Sequence, residues 1–219
     1  MKHLTDRLNA ACASYFDTPF QPQAIMAGYD TTLRGTSLCY VLPDWSVYIV
    51  NVYSEAPPKK EPKNPGKRKP GAIPRVPSEQ LHAYALDAIA YYTRQYQPAK
   101  IVHEDYAFAA KGSSVLDLAE IGGDVRRLLT QYPGEHLLIA PAALKMYTCG
   151  KGNGKAGKEL MISMMSIKFG IPLADNNMTD ALALANWGMC EIIGKKEWKP
   201  TSVRTILHTP DVFQNDPLG

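Results

Sequence analysis

Ala24-Ile25-Met26-Ala27-Gly28-Tyr29-Asp30 is the stretch on which the fold turns: an apolar run that reads as a β-strand and ends on a lone carboxylate. Two more strand-like runs follow, Ser37 to Leu42 and Val47 to Tyr53, set apart by Gly35 and by Pro43-Asp44. Turn residues at those points make the three an antiparallel meander. Farther along, Lys100-Ile101-Val102-His103 leads into Glu104 as a short strand, and Asp180 precedes Ala181-Leu182-Ala183-Leu184-Ala185 in what reads as the first turn of a buried helix. Acids from distant parts of the chain are thereby expected at one sheet edge. Carboxylates crowded in that way need cations between them. Mg²⁺ suits the task, because it accepts a few carboxylate oxygens, keeps several waters and completes its shell with phosphate. Ions held roughly 4 Å apart stabilise the attacking and leaving oxygens of an in-line phosphoryl displacement.

The remaining pattern is alternating helix and strand. Ser78-Glu79-Gln80 opens a helix to about Gln95, with Leu81, Tyr84, Ala85, Ala88 and Ile89 on one face. Val115, Leu118, Ala119, Gly122 and Val125 mark a second helix, Leu137 to Ala140 another strand, and Lys158 to Phe169 and about Thr179 to Ile193 two further helices. The expected class is α/β: a mixed sheet, three antiparallel strands and then parallel ones, flanked by helices. One domain over residues 24–195 accounts for this. Residues 1–23 form an N-terminal extension with weak helical periodicity from Leu4 to Tyr15, and residues 196–219 a C-terminal tail. Residues 55–77 hold seven prolines among lysines, so they read as a surface excursion that can be neither helix nor interior strand.

With 219 residues, 45% hydrophobic and 21% charged, the chain can bury a full core. The formal charge of +3 is unevenly spread. Lys59, Lys60, Lys63, Lys67, Arg68, Lys69 and Arg75 outnumber Glu55 and Glu61, leaving the rest slightly acidic. The four cysteines form no C-x-x-C pair, which argues against a zinc ribbon or a disulfide framework and fits a reducing compartment. No apolar run approaches about 18 residues and no signal-peptide pattern opens the chain, so an intracellular, cytoplasmic protein without a membrane partner is expected.

Each acid has an ordinary alternative. Asp30 could be a turn former. Thr179 and Asp180 could be a helix cap and its dipole partner. Glu104 is harder to explain away, since an unpaired carboxylate in a central strand is costly and calls for a partner or a metal. Upstream of Asp180, Asn177 has the spacing to share its helix face. Asp175 lies about 140° around an ideal helix and converges only from the preceding loop, but brings the charge.

Several motifs together carry a family resemblance: Ala27-Gly28-Tyr29-Asp30, Val102-His103-Glu104, Leu118-Ala119-Glu120-Ile121-Gly122-Gly123, Ala140-Pro141-Ala142-Ala143-Leu144-Lys145, Gly150-Lys151-Gly152-Asn153-Gly154-Lys155, and Thr179-Asp180-Ala181-Leu182-Ala183. In order and spacing the chain resembles the RuvC-type Holliday junction resolvases of the RNase H-like superfamily, in particular their phage-borne relatives. The resemblance implies that Asp30, Glu104 and Asp180 are metal ligands that activate water at a scissile phosphate. It implies a fourth ligand upstream, where the usual position holds Asn177 and Asp175 is the candidate substitute. Lys145 matches a lysine near the scissile phosphate, Lys158 a second basic residue, and the family's twofold dimers imply a homodimer on a four-way junction of matching symmetry.

The glycine-rich stretch from Gly150 to Lys155 lacks the strand, spacing and Lys-Ser/Thr pair of a nucleotide-binding loop, so no nucleotide cofactor is expected. Lys151 and Lys155 there, Lys111, and Lys67, Arg68 and Lys69 are candidate phosphate contacts, with a solvated loop or spacer as the plain alternative. Phe108 is the candidate for touching an opened base pair, whereas Tyr91, Tyr92 and Tyr96, at helical spacing, read as core. The expectation is a Mg²⁺- or Mn²⁺-dependent endonuclease on branched DNA. An RNase H-like nuclease on hybrids or flaps, or a catalytically silent junction-binding protein, are its rivals.

Overall fold

A computed structural model describes residues 16, 19–32, 35–53, 78–105, 114–150, 157–173 and 175–208. Among the described residues, six strands form one sheet in the order β5-β4-β1-β2-β3-β6. β1 (Ala24–Asp30), β2 (Gly35–Val41) and β3 (Ser46–Tyr53) are the antiparallel meander, while β4 (Pro98–Glu104) and β5 (Glu135–Ile139) extend it in parallel beside β1. The helices are α1 (Ser78–Tyr96), α2 (Ser114–Leu129), α3 (Pro141–Cys149), α4 (Lys158–Phe169) and α5 (Asn176–Ile193).

Every residue of β2 is buried, and so is nearly all of β1, because helices cover both faces of the sheet. Strand alternation sorts the side chains into two layers. Met26, Cys39, Ile49 and Val102 face α3, α4 and α5, with Leu144, Met161, Met165 and Leu182 closing that core. Ala27, Tyr29, Leu38, Tyr40 and Ile101 face α1 and α2, where Ala88, Ile89, Tyr92, Ile121 and Val125 meet them. Tyr92 is buried and Tyr96 stacks on Tyr40 at 4.4 Å between centroids, so the tyrosine group is core as its spacing indicates.

Two elements depart from the sequence reading. Part of the expected C-terminal tail is β6 (Ser202–His208), which pairs in parallel with β3 from Ser46↔Ser202 to Val52↔His208. It is an edge strand with mostly exposed side chains, so little apolar alternation marks it. Its end is pinned by a 2.9 Å hydrogen bond between His208 Nδ1 and the Tyr92 hydroxyl, and Trp198, just upstream, lies buried in the α5-side core. α3 is also an addition. It opens at Pro141 without a side-chain cap, which leaves Pro in the first turn as its one sequence signal. At the other terminus, Phe16 and Phe20 pack edge-on against Tyr132, whereas the Leu4 to Tyr15 periodicity and residues 55–77 lie outside the described residues.

Candidate acid site

β1 and β4 are parallel neighbours whose register ends with Gly28↔Val102 and Tyr29↔His103. Asp30 and Glu104 are the next residue on each strand, so they stand level at the carboxyl ends. There the strands part: Asp30 pairs with Ser37 of β2 and Glu104 with Ile139 of β5. In open α/β sheets, ligands bind in a crevice outside such strand ends. By alternation both acids project to the face of Met26, Gly28 and Val102, the face that α5 covers.

Gly28 determines how α5 lies there. A Cβ at that position would stand 2.2 Å from the Ala181 carbonyl oxygen and 2.5 Å from the Ala185 nitrogen, so only glycine lets the helix backbone rest directly on β1. At the other end of the contact, Gly188 sits against Met26 and Val102. The helix therefore runs antiparallel to β1, and its N-terminal turns, with Asp180, lie beside Asp30 and Glu104.

The electrostatics follow from that convergence. Asp30 is only 6% exposed, and burial first, then the charges of Asp180, Glu104 and Asp175, hold its carboxyl well above the usual range against the opposing pull of Lys158. Burial and Asp180 push Glu104 up to about 7, with Lys145 opposing. Burial pushes Asp180 up to about 6; Lys145 and Lys158 draw it back and Asp175 adds to the rise. Two lysines from separate helices thus partly neutralise a group of buried or half-buried acids.

Asp180 is not the helix cap. That role belongs to Asp175, whose Oδ1 accepts from the Met178 backbone N–H at 2.9 Å while its carbonyl accepts from the Thr179 hydroxyl at 2.7 Å. The helix begins three residues earlier than the Thr179 start read from sequence. Asp175 accordingly occupies the preceding turn, from which its charge reaches Asp30 and Asp180. Asn177 instead donates its side-chain amide to the Gly35 carbonyl, tying the start of α5 to β2.

The oxygen donors fit a hard divalent cation, because acids raised together toward protonation are what such an ion relieves. Among the described residues, no three His, Cys, Asp or Glu side chains are gathered closely enough to hold one ion between them. Lys111, Phe108, Lys151, Lys155, Lys67, Arg68 and Lys69 lie outside the described residues. Sequence reasoning passed over Thr31 and His103, whose side chains bond at 2.8 Å behind the acids. His103 is 2% exposed, and burial, then His136 and Arg126, push it down to about 3.

RuvC of Thermus thermophilus, solved in complex with a Holliday junction substrate, matches this structure with a TM-score of 0.54 at 16% identity, covering 74% of this chain and 90% of that one. The fold is that of RuvC. A second Thermus thermophilus RuvC structure gives 0.51 at 16% identity, over 78% of this chain and 96% of the other. No protein-family model and no curated protein matches the chain. At this identity the RuvC likeness is one of architecture, a mixed sheet between helix layers. No described helix is long and apolar enough to cross a membrane.

A pH test isolates the acid cluster. A carboxyl raised in the folded state binds its proton more tightly there than in the unfolded chain, so it costs stability as pH rises from the unfolded to the folded value. Metal-free Glu104→Gln is expected to melt above wild type by a margin that grows between about pH 4.5 and 7 and then levels. Comparing the two proteins cancels the opposite contribution of the buried histidines. Each kcal/mol of relief corresponds to about 2–4 °C in a chain of this size. Melting curves across that range check it, and a margin independent of pH contradicts it.

Proposed function

We propose that this chain is a Mg²⁺- or Mn²⁺-dependent endonuclease that cuts branched DNA, above all Holliday junctions, by water attack on a phosphodiester. The observation that supports this most is that Asp30 and Glu104 stand level at the parting ends of β1 and β4, with Asp180 of α5 near enough for its charge to raise both carboxyls, within a RuvC fold. Asp30, Glu104, Asp180 and, from the turn, Asp175 supply the ligands, one or two carboxylates to an ion, with water and phosphate completing each shell. When bound, the ion supplies Lewis-acid stabilisation of the attacking and leaving oxygens. Lys145 and Lys158 counter the negative charge at the acids and face the incoming phosphate. The basic residues of the glycine-rich and proline-rich segments, with Lys111, contact backbone phosphates, which positions DNA without reading bases. A homodimer presents two such sites to a four-way junction of matching symmetry.

A gel assay of labelled junction, flap and RNA-DNA hybrid with Mg²⁺ tests the assignment. The expected result is paired symmetric nicks in the junction; preferential cutting of hybrid or flap favours the RNase H-like alternative. Tight junction binding with no nick under Mg²⁺ or Mn²⁺ would mean a silent binding protein.

The fourth ligand has its own test. Asn caps a helix as well as Asp, so Asp175→Asn removes charge and keeps the cap. It is expected to slow cleavage at limiting Mg²⁺ by about 10-fold, on the order of 1.4 kcal/mol, with little change in melting temperature. Asn177→Ala loses the bond to Gly35 and is expected to cost about 1 kcal/mol of stability with the smaller effect on rate. Cleavage kinetics and melting curves of the pair decide, and the reverse ranking of rates assigns the ligand to Asn177.

A further inference from the structure

On the face of the sheet opposite α5, one side-chain hydrogen bond spans the gap that opens beneath the acids. Tyr29 and His103 are the last register pair of β1 and β4; beyond them each backbone follows a different neighbour. Across the gap, Thr31 Oγ1 lies 2.8 Å from His103 Nε2. Thr31 directly follows Asp30, and His103 directly precedes Glu104. The bond therefore joins the two backbone segments that carry the acids.

The His103 end of this tie is enclosed. Its ring is buried at 2% exposure and lies 5.9 Å, centroid to centroid, from that of His136 on β5. On the far side of Glu104, the Asp105 N–H donates to the Ile139 carbonyl at 2.8 Å, and its carboxylate accepts from Arg126 of α2 at 2.5 Å. Glu104 thus sits between two anchored residues. Asp30 has β2 on one side, and on the β4 side it is followed at once by Thr31. When a bound ion keeps both carboxylates ionised they repel one another, so without a tie the strand ends move apart and the shared ion loses a ligand.

We propose that Thr31 and His103 are positioning residues that set the separation of Asp30 and Glu104 from behind the sheet and so set the affinity of the acid site for a divalent cation. This rests on the reading of those acids as ligands of a shared ion. Outer partners that orient metal ligands typically change affinity or activity by about 10- to 100-fold when lost. Thr31 is the residue to vary, because Val keeps its shape without the hydroxyl and Ser restores the hydroxyl.

The test uses the full chain and three readouts: the Mg²⁺ concentration giving half of the Mg²⁺-induced rise in melting temperature, the kcat for junction cleavage, and junction affinity in EDTA. Thr31→Val is expected to raise the Mg²⁺ midpoint about 10-fold and lower kcat at fixed, subsaturating Mg²⁺ by a similar factor, with junction affinity unchanged. Thr31→Ser is expected to recover both to within about threefold of wild type, below the roughly 10- to 100-fold loss of an outer partner. A Thr31→Val protein that melts lower without metal yet keeps the wild-type Mg²⁺ midpoint overturns the proposal, since the bond is then only structural. If wild type itself shows neither a Mg²⁺-induced rise nor cleavage, the ligand assignment fails and the positioning role falls with it.

Discussion

Asp30→Asn is expected to abolish the proposed junction cleavage, with a loss of at least about 10³-fold, or about 4 kcal/mol of transition-state stabilisation. The residue stands where the sheet's chemistry converges: buried at the end of β1, level with Glu104, and subject to the charges of Asp180, Glu104, Asp175 and Lys158. Asn is nearly isosteric and keeps one oxygen, so the fold is retained while the anionic ligand is removed. Stability moves the other way. Relieving a buried carboxyl of three acidic neighbours raises the metal-free melting temperature, and Mg²⁺ then adds less to the variant than to wild type. Junction binding in EDTA is expected to persist, because sequence-independent affinity comes from basic contacts to phosphates. Single-turnover cleavage and melting curves measure all three; a variant that cuts within tenfold of wild type removes Asp30 from the site.

Gly28→Val is the largest expected loss of structure. The first added carbon already falls 2.2 Å from the Ala181 carbonyl oxygen and 2.5 Å from the Ala185 nitrogen, both backbone atoms that no rotamer change can clear. α5 must lift from β1, and its buried run from Ala181 to Ala185 loses close packing. Overpacking ordinarily costs about 1–3 kcal/mol, and more where backbone must move, so a fall of about 10 °C or more in melting temperature is expected. Cleavage is expected to disappear even at temperatures where the variant is folded, since Asp180 travels with the helix. Gly157→Ala is the control: open space surrounds its added carbon, and the change at this N-cap is expected to stay within about 1 kcal/mol. Differential scanning calorimetry separates the two, and near-equal melting temperatures contradict the close-packed geometry.

The meander was legible because Gly35 and the Pro43-Asp44 turn punctuate runs whose burial matches their apolarity. Lys158–Phe169 was read with the bounds it has, opened by Lys158 and closed by left-handed Gly170. What local pattern cannot carry is partnership. β6 is held by its ladder to β3 and by Tyr92, features no window of seven residues contains. α3 has no polar cap and few buried residues, so its periodicity is faint.

In the acid site, the carboxylates themselves stood out because strand ends and helix starts are visible in sequence, and the cost of an unpaired acid in a strand pointed to Glu104. The choice between Asp175 and Asn177 was not legible, since it turns on where α5 begins. Thr179 looked like a cap but bonds back to the Asp175 carbonyl, placing the start at Asn176. Thr31 and His103 carry no signal at all, being ordinary residues made informative only by the register of β1 with β4.

Anomalous diffraction from crystals grown or soaked with Mn²⁺ locates the ion at the acid site without reference to activity. The expected result is a peak bound by the carboxylate of Asp30 and shared with Glu104 or Asp180. Mn²⁺ bound elsewhere, or Asp30 and Glu104 turned away from one another at saturating Mn²⁺, would contradict it.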